Sequence, residues 1–215
     1  SLQDLLRRHV DQFGTVANLA DKAAIQLNDT HPAIGVAELM RLLMDVHGAD
    51  WDDAWRITVA TISYTNHTLL PEALETWAVP LMERLLPRHM QIIYLLNGRH
   101  LEGVRAGLGA MSGPAADHLL RAASVIDERH GRRVRMGHLA FMGSHSVNGV
   151  SALHTGLMKQ TVFADLNAIY PGRINNKTNG ITFRRWLHRA NPGLTRLIQD
   201  TIGPRFLHDA EALAA

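Results

Sequence analysis

The stretch AAIQLNDTHPAIG, Ala23 to Gly35, decides the fold. A short apolar run of strand character, carrying Ile25 and Leu27, gives way to Asn28-Asp29-Thr30-His31-Pro32, and a helical pattern starts directly behind the proline. A strand that ends on an amide, a carboxylate, a hydroxyl and an imidazole, with a helix following at once, is the junction expected in an α/β protein. In parallel α/β sheets ligands bind beyond the carboxyl ends of the strands, so a polar strand end is also a candidate site wall. Asp29 or Thr30 equally suits the role of cap for the helix after Pro32, and both readings stand at this point.

Two further junctions are polar in the same way. YTNHT (64–68) closes a β-branched run that predicts a strand over Val59–Thr65. GSHSVNGV (143–150) lies between RRVRMGHLAFMG (132–143), read as a third strand, and a helix read over Gly149–Asp165. Its Gly/Ser/Asn turn would aim backbone N–H groups at an anion or a sugar oxygen. Asn148 and Gly149 also suit a plain helix-start turn. His67 alone is as readily a hydrogen-bonded histidine as a catalyst, and its polar neighbours are what single it out.

The rest of the chain alternates in kind. Ser1–Phe13 reads as an amphipathic helix, Ala23–Leu27 as a buried strand and Ile34–Val46 as a helix stopped by Gly48. Asp50 caps a helix carrying Trp51 and Trp55. Pro80 and Pro87 mark helix starts. A helix is expected within 112–126, a loop with a short strand at 172–182, a helix capped by Asn191-Pro192-Gly193, and one more beginning at 208–215. Strands alternating with helices give an α/β fold with a largely parallel sheet.

Bulk properties exclude several classes. The chain has 215 residues, 46% hydrophobic and 20% charged, with a formal charge of +2, and no basic stripe that would suit nucleic acid. Without cysteine there are no disulfides or thiolate metal sites, which suits a reducing cytoplasm. No apolar run reaches the ~18 residues of a membrane helix, and no signal-peptide pattern opens the chain. SLQDLLRRHVDQFG begins in mid-helix, as expected of a piece of something longer.

Other clusters admit two readings each. Glu72 and Glu75 would share a helix face as an acid/base pair, or favour a solvated helix start. Lys177, Arg184 and Arg185 would meet a phosphate or simply lie at the surface. Asp29, His31, His67 and His145 have the ligand types of zinc or manganese hydrolases, but no HxH or HExxH pattern fixes them in a coordination sphere. Residue patterns alone stop at a polar pocket along the strand ends.

AIQLNDTHPAIGVAELMRLL, YTNHTLLPEALETW, LLPRHMQIIYLLN, GSHSVNGVSALHT and NNKTNGITFRRWL together resemble the α-glucan (glycogen, starch, maltodextrin) phosphorylases, in order and from about Leu2 to the C-terminus. Phe183 stands where that family usually has proline, and Gly137 where alanine is usual. The resemblance implies half of a B-type glycosyltransferase fold: residues 1–179 as the later half of a Rossmann-like N-terminal domain, 180–215 as the start of the C-terminal cofactor domain. It implies retaining transfer of a terminal glucosyl unit from an α-1,4-glucan to phosphate, with pyridoxal phosphate as cofactor of the complete enzyme.

By the same resemblance, the main-chain carbonyl of His67 faces the reacting sugar and its ring holds the 6-hydroxyl. Asn179 shares that hydroxyl and Val150 lines the pocket. Asp29 and His31 form the wall beside the anomeric face, Glu75 is its acidic neighbour, and Trp186 packs near the cofactor. Lys22, Lys159 and Lys177 do not match the cofactor lysine. An internal segment that binds no cofactor and is inactive alone is therefore expected. It would self-associate, or form a homodimer, through uncovered strand edges and apolar faces. The alternatives are a stand-alone glucan-binding or regulatory module on the same scaffold, and the metal-dependent hydrolase.

Overall fold

A computed structural model describes residues 1–70, 74–109, 111–129 and 131–214, which form two compact units, Ser1–Lys177 and Thr178–Ala215. In the first unit α1 (Leu2–Phe13) and α2 (Leu19–Lys22) lead to strand β1 (Ile25–Asn28). Helix α3 (Gly35–Arg41) runs on into a wider π-type turn (Leu42–Val46), and α4 (Trp51–Thr61) feeds β2 (Ile62–Thr65). Next come β3 (Thr76–Ala78), α5 (Val79–Leu85), α6 (Pro87–Leu108), α7 (Pro114–Ala123), β4 (Ile126–Asp127), β5 (Arg133–Arg135) and α8 (Met136–Met142). The unit closes with β6 (Ser146–Gly149), α9 (Ala152–Gln160), α10 (Ala164–Ile169) and β7 (Ile174–Asn176). The second unit carries a π-type turn (Arg184–Arg189) and α11 (Pro192–Ile202), with Asn191 capping the helix by accepting from the Leu194 N–H at 3.0 Å.

The main sheet is parallel throughout, in the order β1-β2-β6-β7. Its register aligns Leu27, Tyr64, Val147 and Ile174 in one buried row. Apolar helix faces cover that row: Leu39, Met40 and Leu43 from α3 and its turn, and Leu139 and Phe141 from α8, belong to the same core, and Phe163 meets Tyr64 edge-on at 6.2 Å. Alternation sends the intervening side chains to the opposite face. There Gln26 Nε2 donates to Thr65 Oγ1 and Thr65 Oγ1 to Asn148 Oδ1, each at 2.8 Å, while Asn175 Nδ2 donates to Ser146 Oγ at 2.8 Å. This second face is polar and bonded to itself, not the apolar surface expected of half a Rossmann domain. Exposed apolar side chains lie elsewhere, as with Leu153 and Leu157 of α9.

The α/β class and parallel sheet are as read from the sequence, but three elements differ. The strand expected over 132–143 is only Arg133–Arg135, in a separate antiparallel sheet of order β3-β5-β4. The residues after it form α8, whose side chains are nearly all buried. A short run apolar on all sides carries no period that separates a core helix from a strand. The third strand of the main sheet is Ser146–Gly149, expected to be a turn, where pairing on both sides overrides the weak strand preference of Ser, Asn and Gly. The helix expected over Gly149–Asp165 is split: Ser151 caps α9 by accepting from the His154 N–H at 3.1 Å, and the chain breaks at Thr161 before α10. In addition, α4 extends through Thr61, so β2 begins at Ile62 and not at Val59.

Candidate active site at the carboxyl ends of the sheet

Four strand ends line up at one edge of the first unit, and the polar junctions follow three of them. One residue past β1, the Asp29 N–H still donates to the Thr65 carbonyl at 2.9 Å. Asp29 then turns out of the strand at φ 64°, the one positive φ of a non-glycine residue among the described residues. Asp is among the few residue types that visit this left-handed region, because its short side chain bonds locally. Here Asp29 Oδ1 accepts from the Thr30 N–H at 2.7 Å. The turn therefore depends on the carboxylate itself, and it aims Thr30 and His31 toward a distant partner.

That partner is Glu75. Thr30 Oγ1 donates to Glu75 Oε2 at 2.7 Å, and His31 Nδ1 lies 3.3 Å from the same oxygen. The His31 side chain is 74% exposed and that of Glu75 only 29%, so the carboxylate is the fixed member and the imidazole the accessible one. Glu75 is anchored through its main chain, whose carbonyl accepts from the Met136 N–H at 3.0 Å at the start of α8. The acid/base pair read from Glu72 and Glu75 is not a shared helix face: β3 begins immediately after Glu75, and Glu72 lies outside the described residues.

At the end of β2 the exposed His67 ring contacts the Asn28 amide, Nε2 to Oδ1 at 2.5 Å. Behind it Asn66 is fully buried. Its N–H donates to the Asn148 carbonyl at 3.0 Å, and its Nδ2 donates to the Tyr64 hydroxyl at 3.1 Å. His154 of α9 reaches both the Asn66 carbonyl (3.1 Å) and Oδ1 (3.0 Å) with Nε2. A carbonyl only accepts, so His154 carries its proton on Nε2. Burial pushes the Tyr64 phenol well above its ordinary pKa, which keeps it a neutral partner for the Asn66 amide. The peptide that carries His67 is thus held from three sides.

Val150 is half-buried and follows β6 directly. A Cβ at Gly149 would come within 3.0 Å of Thr155, His154 and Met158, so glycine is what lets α9 press against the strand end. Thr30, His31 and Glu75 thus form one group on the turn that Asp29 makes, His67 with Asn28 a second, and Val150 stands at the neighbouring strand end. Asn179 and Trp186 belong to the second unit, where both are exposed, as are Arg184 and Arg185. His154 and Asn66 carry the geometry although His154 had no sequence signal beyond its place three residues after the cap Ser151.

The metal reading fails on geometry. His145 enters β6 at its amino end, with Nδ1 on the Val59 carbonyl at 3.0 Å and Nε2 3.4 Å from Ser63 Oγ, so the length of the sheet separates it from His67. Among the described residues no three His, Asp or Glu side chains gather as a metal-binding group. Nor is any helix among them long and apolar enough to cross a membrane.

Comparison with known proteins bears on this geometry. The family described as carbohydrate phosphorylase matches residues 1–215. The brain form of glycogen phosphorylase from Rattus norvegicus is 49% identical over 221 aligned positions, covering 99% of this chain and 26% of that protein. The glycogen phosphorylase of Synechocystis sp. is 48% identical, covering 99% of this chain and 24% of that protein. The muscle form from Mus musculus is 47% identical. The chain spans about a quarter of the length of these relatives.

Proposed function

The chain belongs to the carbohydrate phosphorylase family, and on that premise we propose that it supplies the glucosyl-binding wall of an α-1,4-glucan phosphorylase. The reaction is transfer of the terminal glucosyl unit to inorganic phosphate, with retention at the anomeric carbon, to give glucose 1-phosphate. The observation that carries the proposal is the placement of Asp29, His31 and His67 just beyond the adjacent parallel strands β1 and β2, where α/β sheets bind ligands, with Glu75 brought against Thr30 from the segment before β3.

In this reading the His67 carbonyl faces the reacting sugar and its ring takes the 6-hydroxyl, oriented by Asn28. Val150 packs on the sugar, and Asn179 is a substrate-binding residue supplied by the second unit. Asp29 and His31, with Glu75 behind them, face the side on which positive charge develops at the anomeric carbon. Fixed dipoles at that position favour the transition state over the ground state. Trp186 packs near the cofactor of the complete enzyme.

Pyridoxal phosphate is that cofactor, and it supplies a phosphate group that moves protons to and from the substrate phosphate. The lysines of this chain do not fit it. Lys22, Lys159 and Lys177 are all exposed, whereas a Schiff-base lysine is activated by desolvation or a neighbouring cation in an enclosed site. No step of the chemistry is therefore assigned to this chain through the cofactor, and the 215 residues alone bind glucan without turning it over. Residues 1–179 form the later part of the first domain and 180–215 the start of the second, a boundary two residues from the division after Lys177. A cytoplasmic setting, α-1,4-glucan and phosphate as ligands, and a homodimer or self-associated state complete the proposal.

Maltoheptaose titrated into the isotope-labelled chain, followed by amide chemical shifts, tests it. Shifts are expected at 29–31, 66–67 and 150, with no glucose 1-phosphate formed when phosphate is added. Shifts confined to other surfaces, or none, would overturn the assignment of this wall. Turnover by the pure chain would overturn its inactivity.

A further inference from the structure

The amino ends of the same strands hold a second concave site. Val59 precedes β2, Met142 precedes β6 and Arg173 precedes β7, and together with α4 and α6 they enclose a cavity of about 750 Å³. That size falls within the range of small-molecule sites. The walls are largely apolar and aromatic, with Trp55, Leu96, Val104 and Tyr170 prominent.

Two guanidinium groups line the cavity and differ in one respect. Arg99 is neutralised: Nη1 donates to Asp52 Oδ1 at 2.6 Å while the group lies over the Trp51 ring. Arg173 stacks on Tyr170 at 4.1 Å from the ring centroid and makes one long bond, 3.4 Å, to the Phe141 carbonyl. Among the described residues no carboxylate pairs with it. Burial works against its charge and lowers its pKa. The ring beneath it is itself fixed, since the Tyr170 hydroxyl is hydrogen-bonded to His100 Nδ1 at 2.8 Å. A half-buried, planar cation held over an aromatic ring, with no carboxylate partner and only one long bond to its fork, is arranged to receive an anion of matching planarity.

We propose that this cavity binds a small aromatic carboxylate, with its ring among Trp55, Leu96 and Tyr170 and its carboxylate on Arg173. The site stands at the opposite end of the sheet from the glucosyl wall and does not depend on the glucan reading. It requires no covalent chemistry.

The test uses 2-naphthoate and its neutral isostere 2-naphthamide, titrated into the full chain by calorimetry with tryptophan fluorescence as a second readout, since Trp51 and Trp55 line the cavity. The acid is expected to bind about ten-fold more tightly than the amide, as one charge-assisted pair provides. Arg173→Gln should bring the acid down to the level of the amide. Gly103→Leu fills the cavity from α6, at a position where an added Cβ meets nothing within 4 Å, and should abolish binding of both ligands while the chain stays folded. Equal affinity for acid and amide, absence of binding, or unchanged binding by Gly103→Leu would each overturn the proposal. If Arg173→Gln fails to fold, the acid-to-amide ratio and Gly103→Leu still decide.

Discussion

Tyr64→Phe removes one oxygen atom from the centre of the first unit and tests the whole support of His67. Tyr64 is fully buried, and its hydroxyl accepts from Asn66 Nδ2 at 3.1 Å. Losing the bond forfeits about 1 kcal/mol net, and leaving a buried amide N–H without its acceptor adds roughly 1 kcal/mol or more. The expected cost is about 2 kcal/mol, a ~30-fold change in the folding equilibrium. With a urea m-value of about 2 kcal/mol/M, the unfolding midpoint should fall by roughly 1 M, read by circular dichroism. Asn66→Leu in the same background removes the orphaned amide, so the double variant should cost clearly less than the sum of the single ones. A shift under about 0.5 kcal/mol for Tyr64→Phe, or strict additivity in the double variant, would refute the claim that this pair holds the strand end.

Three further outcomes are expected. Burial lowers the pKa of His138 to about 4, and Arg135 nearby works in the same direction, while Nε2 donates to the Ala122 carbonyl at 3.0 Å. The unfolded chain, with His near 6.5, binds the proton first, so stability is full above pH 6.5 and declines as pH falls toward 4, by up to ~3 kcal/mol; urea midpoints against pH should show this slope, flattened in His138→Gln. Gly149→Ala drives a methyl group into Thr155, His154 and Met158 and should cost about 1–3 kcal/mol, with loss of the maltoheptaose-induced shifts at 66–67. Asp29→Ala loses the bond to the Thr30 N–H and leaves a Cβ in the left-handed region without the local bond that offsets it, about 2 kcal/mol together, whereas Asp29→Gly loses the same bond but removes the Cβ as well and should cost about 1 kcal/mol less; equal thermal shifts for the two would count against a strained turn.

Local signals were legible where one side chain completes the structure by itself. Asp50 caps α4, accepting from the Asp53 N–H at 2.8 Å, and Pro87 opens α6, both as their positions in the sequence suggest. The polar run after β1 was legible as a turn as well as a candidate site wall, and Asp29 makes the turn. What the sequence hid is what depends on distant chain. Glu75 reaches Thr30 across 45 positions, and His154 reaches Asn66 across 88. Residues 146–149 pair as a strand only because β2 and β7 flank them, and 136–142 coil into a helix whose apolar run carries no distinguishing period.

The order β1-β2-β6-β7 also sets a timetable. About eighty residues, including the whole antiparallel sheet, must be threaded out and back before β6 can join β2, whereas the crossovers β1 to β2 and β6 to β7 are each less than half as long. The entropy of the longer closure adds under ~1 kcal/mol, but non-local pairings form late in folding. The joint between β2 and β6 is where the Asn66 N–H meets the Asn148 carbonyl and where His154 arrives with α9. The peptide bearing His67 is therefore expected to be fixed late, in a nascent or refolding chain whose helices and first strand pair precede it.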